Sequence, residues 1–502
     1  MTKLCLCLTG KTLAQDLELL QKYRKYVDIA ELRVDHLNLD EQLLIRSFPS
    51  QAGIPIILTI RRKADGGNFI DGEGRRIALL SKGLAFAEVD RRKNFAYVDL
   101  EEDLSVPSLE EAARTFGTRI IRSYHDTQGA EGNLAEKLKS LLRVGDEIPK
   151  VAVNATTFSD VTKLFTAAEA LPGVDKIILG MGHLALCTRI LAAKLGSLIC
   201  YASATDDPDL PVAAPGQISP RELVELYNIK SINAQTALFG VVGYPLSATS
   251  SPAFFNQVFK EEQYNAAYLP FPTDSLEDFL SFAEMMHISG LSITIPYKEA
   301  ILPRLASSSE MVKAIGACNT IVHSDEGWIG NNTDYTGFAD SLTAFVGKKD
   351  LKGSRITIIG AGGAARAVAA AIHQLKGKAL ILNRTALRAK QIAGAYKFDW
   401  AELNAKGIEK MHRYNQIIIQ TTSVGMEPDI AQNPLPEYQF TGKELVMDII
   451  YKPEKTLFLQ QAEAAGCAIA NGYDMLLRQA RYQYRYFMGR EFPPQLMSRI
   501  RM

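Results

Sequence analysis

From residue 3 to about 228, short β-branched or apolar runs alternate with amphipathic stretches of helical length. The apolar runs predict strands at Leu4–Leu8, Ile29–Arg33, Ile56–Ile60, Ala96–Leu100, Arg119–Tyr124, Val151–Val153, Lys176–Leu179 and Leu198–Tyr201. Helical spacing of apolar residues predicts helices over Leu13–Tyr26, Arg75–Val89, Asn133–Arg143 and Val161–Ala170, and Ser219-Pro220-Arg221-Glu222 reads as the N-cap start of a last one. Eight such units are the count of a (β/α)8 barrel. An open doubly wound sheet is the competitor, but charged and polar residues collect at strand C-terminal ends across the whole series, as in barrel active sites. Lys150 is the exception, because it precedes the apolar part of its strand.

The polar stretch Asn228–Gln235 interrupts the pattern, and a new strand begins at Ala237. Phe254–Phe259, Leu276–Met286, Leu291–Ile295 and Met311–Ile315 then outline a compact α/β domain. Arg355–Ile359, a glycine turn and an alanine-rich helix form the start of a dinucleotide-binding βαβ unit, and Ala379–Leu382, Gln416–Gln420 and Leu445–Asp448 extend an open parallel sheet. The expectation is an α/β chain: a barrel at 1–228, a second domain at 236–338 completed by C-terminal helices at about 472–502, and a Rossmann-like domain at 339–471.

Composition narrows the function. Apolar residues make up 47%, charged residues 22%, and the net charge is +0, so nothing points to nucleic acid or an acidic membrane as partner. The N-terminus lacks the features of a signal peptide and no stretch is long enough to span a bilayer, which leaves cytoplasm as the expected compartment. Six scattered cysteines read as buried reduced thiols, and no spacing suggests a metal site.

In the first half, a lysine inside a barrel loses solvation, so Lys150 is the candidate to attack a ketone as a neutral amine. The C–H beside the resulting iminium needs a base, which His125 can supply, with Glu101 able to orient the imidazole. Arg33, Arg61 and Arg189 suit a carboxylate and hydroxyls. These residues stand in Glu31-Leu32-Arg33-Val34-Asp35-His36, Thr59-Ile60-Arg61, Val98-Asp99-Leu100-Glu101, Ser123-Tyr124-His125-Asp126, Lys150-Val151-Ala152-Val153 and Ala214-Pro215-Gly216-Gln217. Through them residues 1 to about 228 resemble the type I 3-dehydroquinate dehydratases. The resemblance implies Lys150 as Schiff-base lysine, His125 as acid/base, Glu101 as its partner, and Glu31, Arg33, Arg61, Arg189 and Gln217 as substrate-binding residues. Where that family usually has serine before Ala-Pro-Gly-Gln, this chain has Ala213.

In the second half, Gly360-Ala361-Gly362-Gly363-Ala364-Ala365 can bring a pyrophosphate to a helix N-terminus. About twenty residues on, Asn383-Arg384-Thr385 and Arg388 replace the acid that favours NAD, which suits the extra phosphate of NADP. Lys298 and Asp334 can pass a proton to a carbonyl oxygen as hydride arrives at its carbon, and Asn319 can hold a neighbouring hydroxyl. With Gly243-Tyr244-Pro245-Leu246, Thr294-Ile295-Pro296-Tyr297-Lys298, Cys318-Asn319-Thr320, Asn332-Thr333-Asp334, Thr422-Ser423-Val424-Gly425-Met426 and Asn471-Gly472-Tyr473-Asp474-Met475-Leu476, residues 237–502 resemble the shikimate dehydrogenases. The resemblance implies catalysis by Lys298 and Asp334 and substrate contacts from Thr249, Ser251, Thr294, Asn319, Tyr451 and Gln479. It also places Gly360, Ala361, Gly362, Gly363, Ala364, Asn383, Arg384, Thr385, Arg388, Thr422, Gly472 and Met475 around NADP. Gln420 stands where asparagine is usual, which puts a cofactor-side contact in doubt.

The expected function is therefore dehydration of 3-dehydroquinate to 3-dehydroshikimate and reduction of that product to shikimate with NADPH. The alternatives are a second half that also takes quinate or NAD, and a non-catalytic sensor of the same intermediates.

Overall fold

The computed structural model describes residues 2–85, 89–130, 132–143, 146–246 and 249–496. Residues 86–88 of the expected helix Arg75–Val89 and residues 497–502 of the expected C-terminal helices lie outside the described residues. Two compact units divide the chain, residues 1–238 with 256–287, and residues 239–255 with 288–502.

In the first unit, β1 (Lys3–Leu8), β2 (Ile29–Arg33), β3 (Ile56–Thr59), β4 (Tyr97–Glu101), β5 (Arg119–Asp126), β6 (Ile148–Asn154), β7 (Ile177–Met181) and β8 (Ile199–Ala202) form one sheet in the order β7-β6-β5-β4-β3-β2-β1-β8. A single parallel bridge, Lys176 to Ser197, joins its ends, so the barrel is nearly closed. Alternation sends Cys5, Ile29, Ile57, Ile121, Ile148, Ile177 and Ile199 inward, where these mostly β-branched side chains pack as a layer.

β5 and β6 run longer than expected, and this corrects the reading of Lys150. It is not ahead of its strand but inside it, on the inward face between Ile148 and Ala152. Proline and lysine break the apolar run without breaking the strand, since the ladder to β7 begins only at Lys150 and loses nothing there to the missing N–H of Pro149. The last predicted helix starts as expected: Ser219 Oγ accepts the Glu222 N–H at 3.1 Å.

β9 (Ala237–Gly243), β10 (Ala266–Pro272), β11 (Ile288–Ile293), β12 (Ser307–Ser308), β13 (Thr320–Ser324) and β14 (Gly327–Asn331) belong to a second sheet. β13 pairs antiparallel with both β11 and β14. The β13–β14 hairpin carries little apolar alternation because its close packing uses glycine: a Cβ on Gly330 would lie 2.4 Å from Leu305 and 3.1 Å from the Cys318 sulfur. The helix Thr333–Val346 runs across the expected boundary at 338/339.

β15 (Arg355–Ile359), β16 (Lys378–Asn383), β17 (Asp399–Glu402), β18 (Ile417–Gln420), β19 (Leu445–Asp448) and β20 (Ala468–Ala470) form a parallel sheet in the order β17-β16-β15-β18-β19-β20. The order reverses between β15 and β18, which opens a crevice at the carboxyl ends of these strands.

Within the first unit the helix Phe158–Ala168 packs on the helix Leu276–Met285 through aromatic rings and a Thr166–Met285 contact. Phe158 lies 5.2 Å from both Phe279 and Phe282, Phe165 lies 5.2 Å from Phe282, and Phe271 lies 5.1 Å from Phe279. All six cysteines are free and buried, as the composition suggested. No described helix is long and apolar enough to cross a membrane.

Candidate active sites

The C-terminal mouth of the barrel holds a cavity of about 280 Å³ lined by Glu31, Arg33, Arg61, His125, Lys150 and Gln217, among others. Lys150 Nζ donates to Asp99 Oδ2 at 2.7 Å and lies 4.5 Å from the centre of the Tyr201 ring. Arg61 Nη2 approaches the same Asp99 oxygen at 2.9 Å, and Ser123 Oγ donates to the other at 2.5 Å. Burial alone would raise the Asp99 carboxyl, but the Arg61 and Lys150 cations hold it far below the ordinary range. Burial, then the same two cations, push the His125 imidazole well below its usual value against the pull of Asp99. His125 is therefore neutral at physiological pH, and its Nδ1 has no hydrogen-bond partner among the described residues. That is the state a general base requires.

Glu101 does not meet the imidazole. Its carboxylate receives Arg61 Nη1 at 2.6 Å and the fully buried Arg76 Nη1. Arg189 also stands apart from the cavity lining, with Nη1 on the Tyr201 carbonyl at 3.1 Å and Nη2 on that of Pro215 at 3.5 Å, so it ties β8 to the Pro215 loop. Arg33 lines the cavity while Asp35 grips its Nε at 2.9 Å and Nη2 at 2.7 Å. Asp35 also accepts the backbone N–H groups of Arg61 and Asn68 at 3.3 and 3.0 Å, which fixes the loop carrying Arg61.

In the second unit, Lys298 Nζ donates to Asp334 Oδ2 at 2.5 Å. Asn319 Nδ2 reaches Asp334 Oδ1 at 2.8 Å and Thr333 Oγ1 at 3.0 Å, while Asn319 Oδ1 accepts the Thr333 N–H at 2.7 Å. Thr333 Oγ1 in turn stands 3.4 Å from Gln479 Oε1. Four of the expected site segments, those carrying Lys298, Asn319, Asp334 and Gln479, thus converge on one polar cluster. The helix bearing Gln479 can come this close because Gly337 has no Cβ; one there would lie 2.7 Å from the Gln479 nitrogen. Thr249 Oγ1 accepts the Ser251 N–H at 3.3 Å at the start of the helix Ser251–Glu261, and Ser250 between them hydrogen-bonds Tyr451. Thr294 directly follows β11, with its methyl 2.4 Å from where a Gly243 Cβ would stand.

The nucleotide turn fits a dinucleotide phosphate. Gly360 has φ +115°, and a Cβ there would lie 2.5 Å from Thr421 Oγ1. The helix Gly363–Gln374 starts at Gly362 without a side-chain cap, and a Cβ at Gly362 would meet nothing within 4 Å, so there is room beside the helix start. A Cβ on Gly363 would lie 3.3 Å from the Lys298 side chain, so turn and lysine are neighbours. Arg384 and Arg388 are exposed. Gly472 approaches the Ile449 carbonyl so closely that any Cβ would overlap it.

Family models match this chain along its length: "Type I 3-dehydroquinase" at residues 4–234, "Shikimate dehydrogenase substrate binding domain" at 241–321 and "Shikimate / quinate 5-dehydrogenase" at 343–449. A shikimate dehydrogenase (NADP(+)) of Caldanaerobacter subterraneus subsp. tengcongensis is 33% identical over 52% of this chain and 95% of its own length. Another from Moorella thermoacetica is 36% identical over 54% of this chain and 94% of its own. The chain belongs to the shikimate dehydrogenase family, with a type I 3-dehydroquinase half before it. A chloroplastic bifunctional 3-dehydroquinate dehydratase/shikimate dehydrogenase of Arabidopsis thaliana is 28% identical over 94% of this chain and 79% of its own length.

In the dehydratase half, sequence reasoning passed over Asp99 and Tyr201. Asp99 shares the inward face of β4 with Glu101, two residues on, and that alternation was the available signal. Tyr201 reads as an apolar strand residue, yet its ring underlies Lys150 and its buried hydroxyl has no partner among the described residues. In the dehydrogenase half, Gln420 turns out to be structural. Its Nε2 donates to the Thr422 and Val424 carbonyls at 3.2 and 3.0 Å, and its Oε1 accepts the Thr422 N–H at 2.7 Å, which shapes the loop carrying Thr422.

Proposed function

We propose that Lys150 attacks the ketone of 3-dehydroquinate, that His125 removes the proton from the carbon beside the iminium and returns it to the departing hydroxyl as water leaves, and that hydrolysis releases 3-dehydroshikimate. Glu31, Arg33, Arg61 and Gln217 orient the substrate around this pair, and Arg189 and Glu101 hold the wall and Arg61 in place. In the second half Lys298 protonates the carbonyl oxygen of 3-dehydroshikimate, Asp334 holds that ammonium, and Asn319, Gln479, Tyr451, Thr249, Ser251 and Thr294 receive the substrate's hydroxyls and carboxylate. NADPH supplies the hydride; the Gly360–Ala364 turn with Thr422, Gly472 and Met475 would hold its pyrophosphate and nicotinamide side, and Asn383, Arg384, Thr385 and Arg388 its phosphorylated ribose.

The proposed domains are 1–228, 236–338 completed by about 472–502, and 339–471, working in the cytoplasm on freely diffusing small molecules. The observation that carries the reading is the placement of His125 and the buried Lys150 in one cavity, on the same chain as the Lys298–Asp334 pair beside the nucleotide turn. Borohydride added during turnover of 3-dehydroquinate should leave a substrate-mass adduct on Lys150 and none in Lys150→Ala. Wild-type dehydration by Lys150→Ala would overturn the mechanism.

A further inference from the structure

Behind two residues of the barrel cavity wall, Glu31 and Gln217, runs a chain of buried polar groups whose hydrogens have one consistent assignment. A glutamate carboxylate only accepts, so the two groups against Glu31 must donate: Thr59 Oγ1 to Oε1 at 2.8 Å, and the Cys7 thiol to Oε2 at 3.2 Å. With its hydrogen committed, the Cys7 sulfur can only accept from the Gln217 amide 3.6 Å away, so Gln217 turns its NH2 toward it. The Gln217 carbonyl oxygen then faces Ser203, whose hydroxyl must donate to it. Ser203 Oγ meanwhile accepts the Ala213 N–H at 3.1 Å. Cys7, Glu31, Ser203 and Gln217 are all buried. Burial and the Glu31 charge push the Cys7 thiol well above its ordinary value, which keeps the hydrogen in place.

We infer that Ser203 and Cys7 are positioning residues of the dehydratase: Ser203 fixes the orientation of the Gln217 amide, and Cys7 links that amide to the Glu31 carboxylate. Ala213 offers only a backbone N–H, and the hydroxyl at this corner of the cavity comes from Ser203, just beyond the end of β8. The inference rests on Gln217 and Glu31 being substrate-binding groups. A chain of hydrogen bonds running one way sets both at once, because reversing any member leaves a buried donor facing a donor or an acceptor facing an acceptor.

The test is steady-state dehydration by Ser203→Ala, Cys7→Ala, Cys7→Ser and the double variant Ser203→Ala/Cys7→Ala. Losing one net hydrogen bond is worth roughly 5–10-fold. Each alanine variant should therefore raise KM for dehydroquinate by about that factor with kcat within about twofold. Cys7→Ser, which keeps one donor and an acceptor, should return KM toward wild type. Because the two residues act through one chain, the double variant should be little worse than either single one. Unchanged KM in both single variants, or fully multiplicative effects in the double variant, would overturn the inference. Gln217→Ala and Glu31→Gln separate this from the underlying reading: if they leave KM unchanged, the substrate-site assignment fails; if they raise it while Ser203→Ala and Cys7→Ala do not, only the relay fails. Shikimate oxidation by the second half of the same chains, and the thermal midpoint, report whether each variant is folded.

Discussion

Asp99→Asn probes how the dehydratase carries its buried charge. Asp99 is 1% exposed and stands between Arg61 Nη2 at 2.9 Å and Lys150 Nζ at 2.7 Å, with Ser123 Oγ on its other oxygen. Asparagine keeps the shape but removes the negative charge, so the Arg61 and Lys150 cations lose their shared counter-ion. Removing one partner of a buried ion pair costs about 3–5 kcal/mol. Glu101 still holds Arg61 at 2.6 Å, which places the expected loss at the lower end, about 3 kcal/mol. At about 2–4 °C per kcal/mol for a unit of this size, the barrel should melt about 6–12 °C lower. The pH dependence has a definite sign. Arg61 and Lys150 overcome burial and hold the folded carboxyl below its ordinary 3.8, so the stabilisation is complete above about pH 4–5 and fades as pH falls toward the folded value. Differential scanning calorimetry of wild type and variant from pH 3 to 8 should show a constant gap between pH 5 and 8 that narrows below pH 4. A midpoint change under about 2 °C at pH 7, or a gap equally wide at pH 3, would refute the argument.

Arg384→Asp should raise KM for NADPH far more than for NADH, because the new charge repels only the extra phosphate; equal effects in a steady-state comparison would remove Arg384 from the cofactor site. Asp448 is fully buried and burial pushes its carboxyl up to about 7 despite hydrogen bonds from Ile450 N and Thr456 Oγ1. A raised folded value means that stability declines as pH rises from about 4 to 7, by about 4 kcal/mol, and urea unfolding of Asp448→Asn should show a flatter pH profile than wild type. His125→Ala should lower dehydratase kcat roughly 10²–10⁴-fold, and wild-type kcat/KM should show no histidine titration near pH 6.5, since that imidazole loses its proton well below its usual value. Lys150→Ala mixed with Lys298→Ala should still make shikimate from dehydroquinate and NADPH, with a lag that shortens as protein concentration rises; a mixture that makes none would require closed transfer between the sites.

The barrel was legible because its strands are apolar runs of β-branched residues, and β2 falls on the predicted Ile29–Arg33. Periodicity failed where a strand carries chemistry, since Lys150 and His125 sit inside β6 and β5 and look like strand ends only because charge replaces apolar residues there. It failed again at β17, an edge strand whose Asp399, Trp400 and Glu402 are exposed, and at the glycine-bearing hairpin β13–β14. Within the sites, residue type identified Lys298 and Asp334, whose 2.5 Å contact the structure supplies. The partner of Lys150 could not be read from type alone. Asp99 and Glu101 are both carboxylates on one face, and only the third dimension shows that the shorter one reaches the lysine while the longer one meets Arg76.

The cluster of Phe158, Phe165, Phe271, Phe279 and Phe282 bears on how such a fusion persists. Its first two rings lie within the stretch matched as dehydroquinase and the other three within the stretch matched as shikimate dehydrogenase. A mutation that split the gene between them would release two proteins, each with a bare aromatic face, prone to self-association until several phenylalanines had been replaced together.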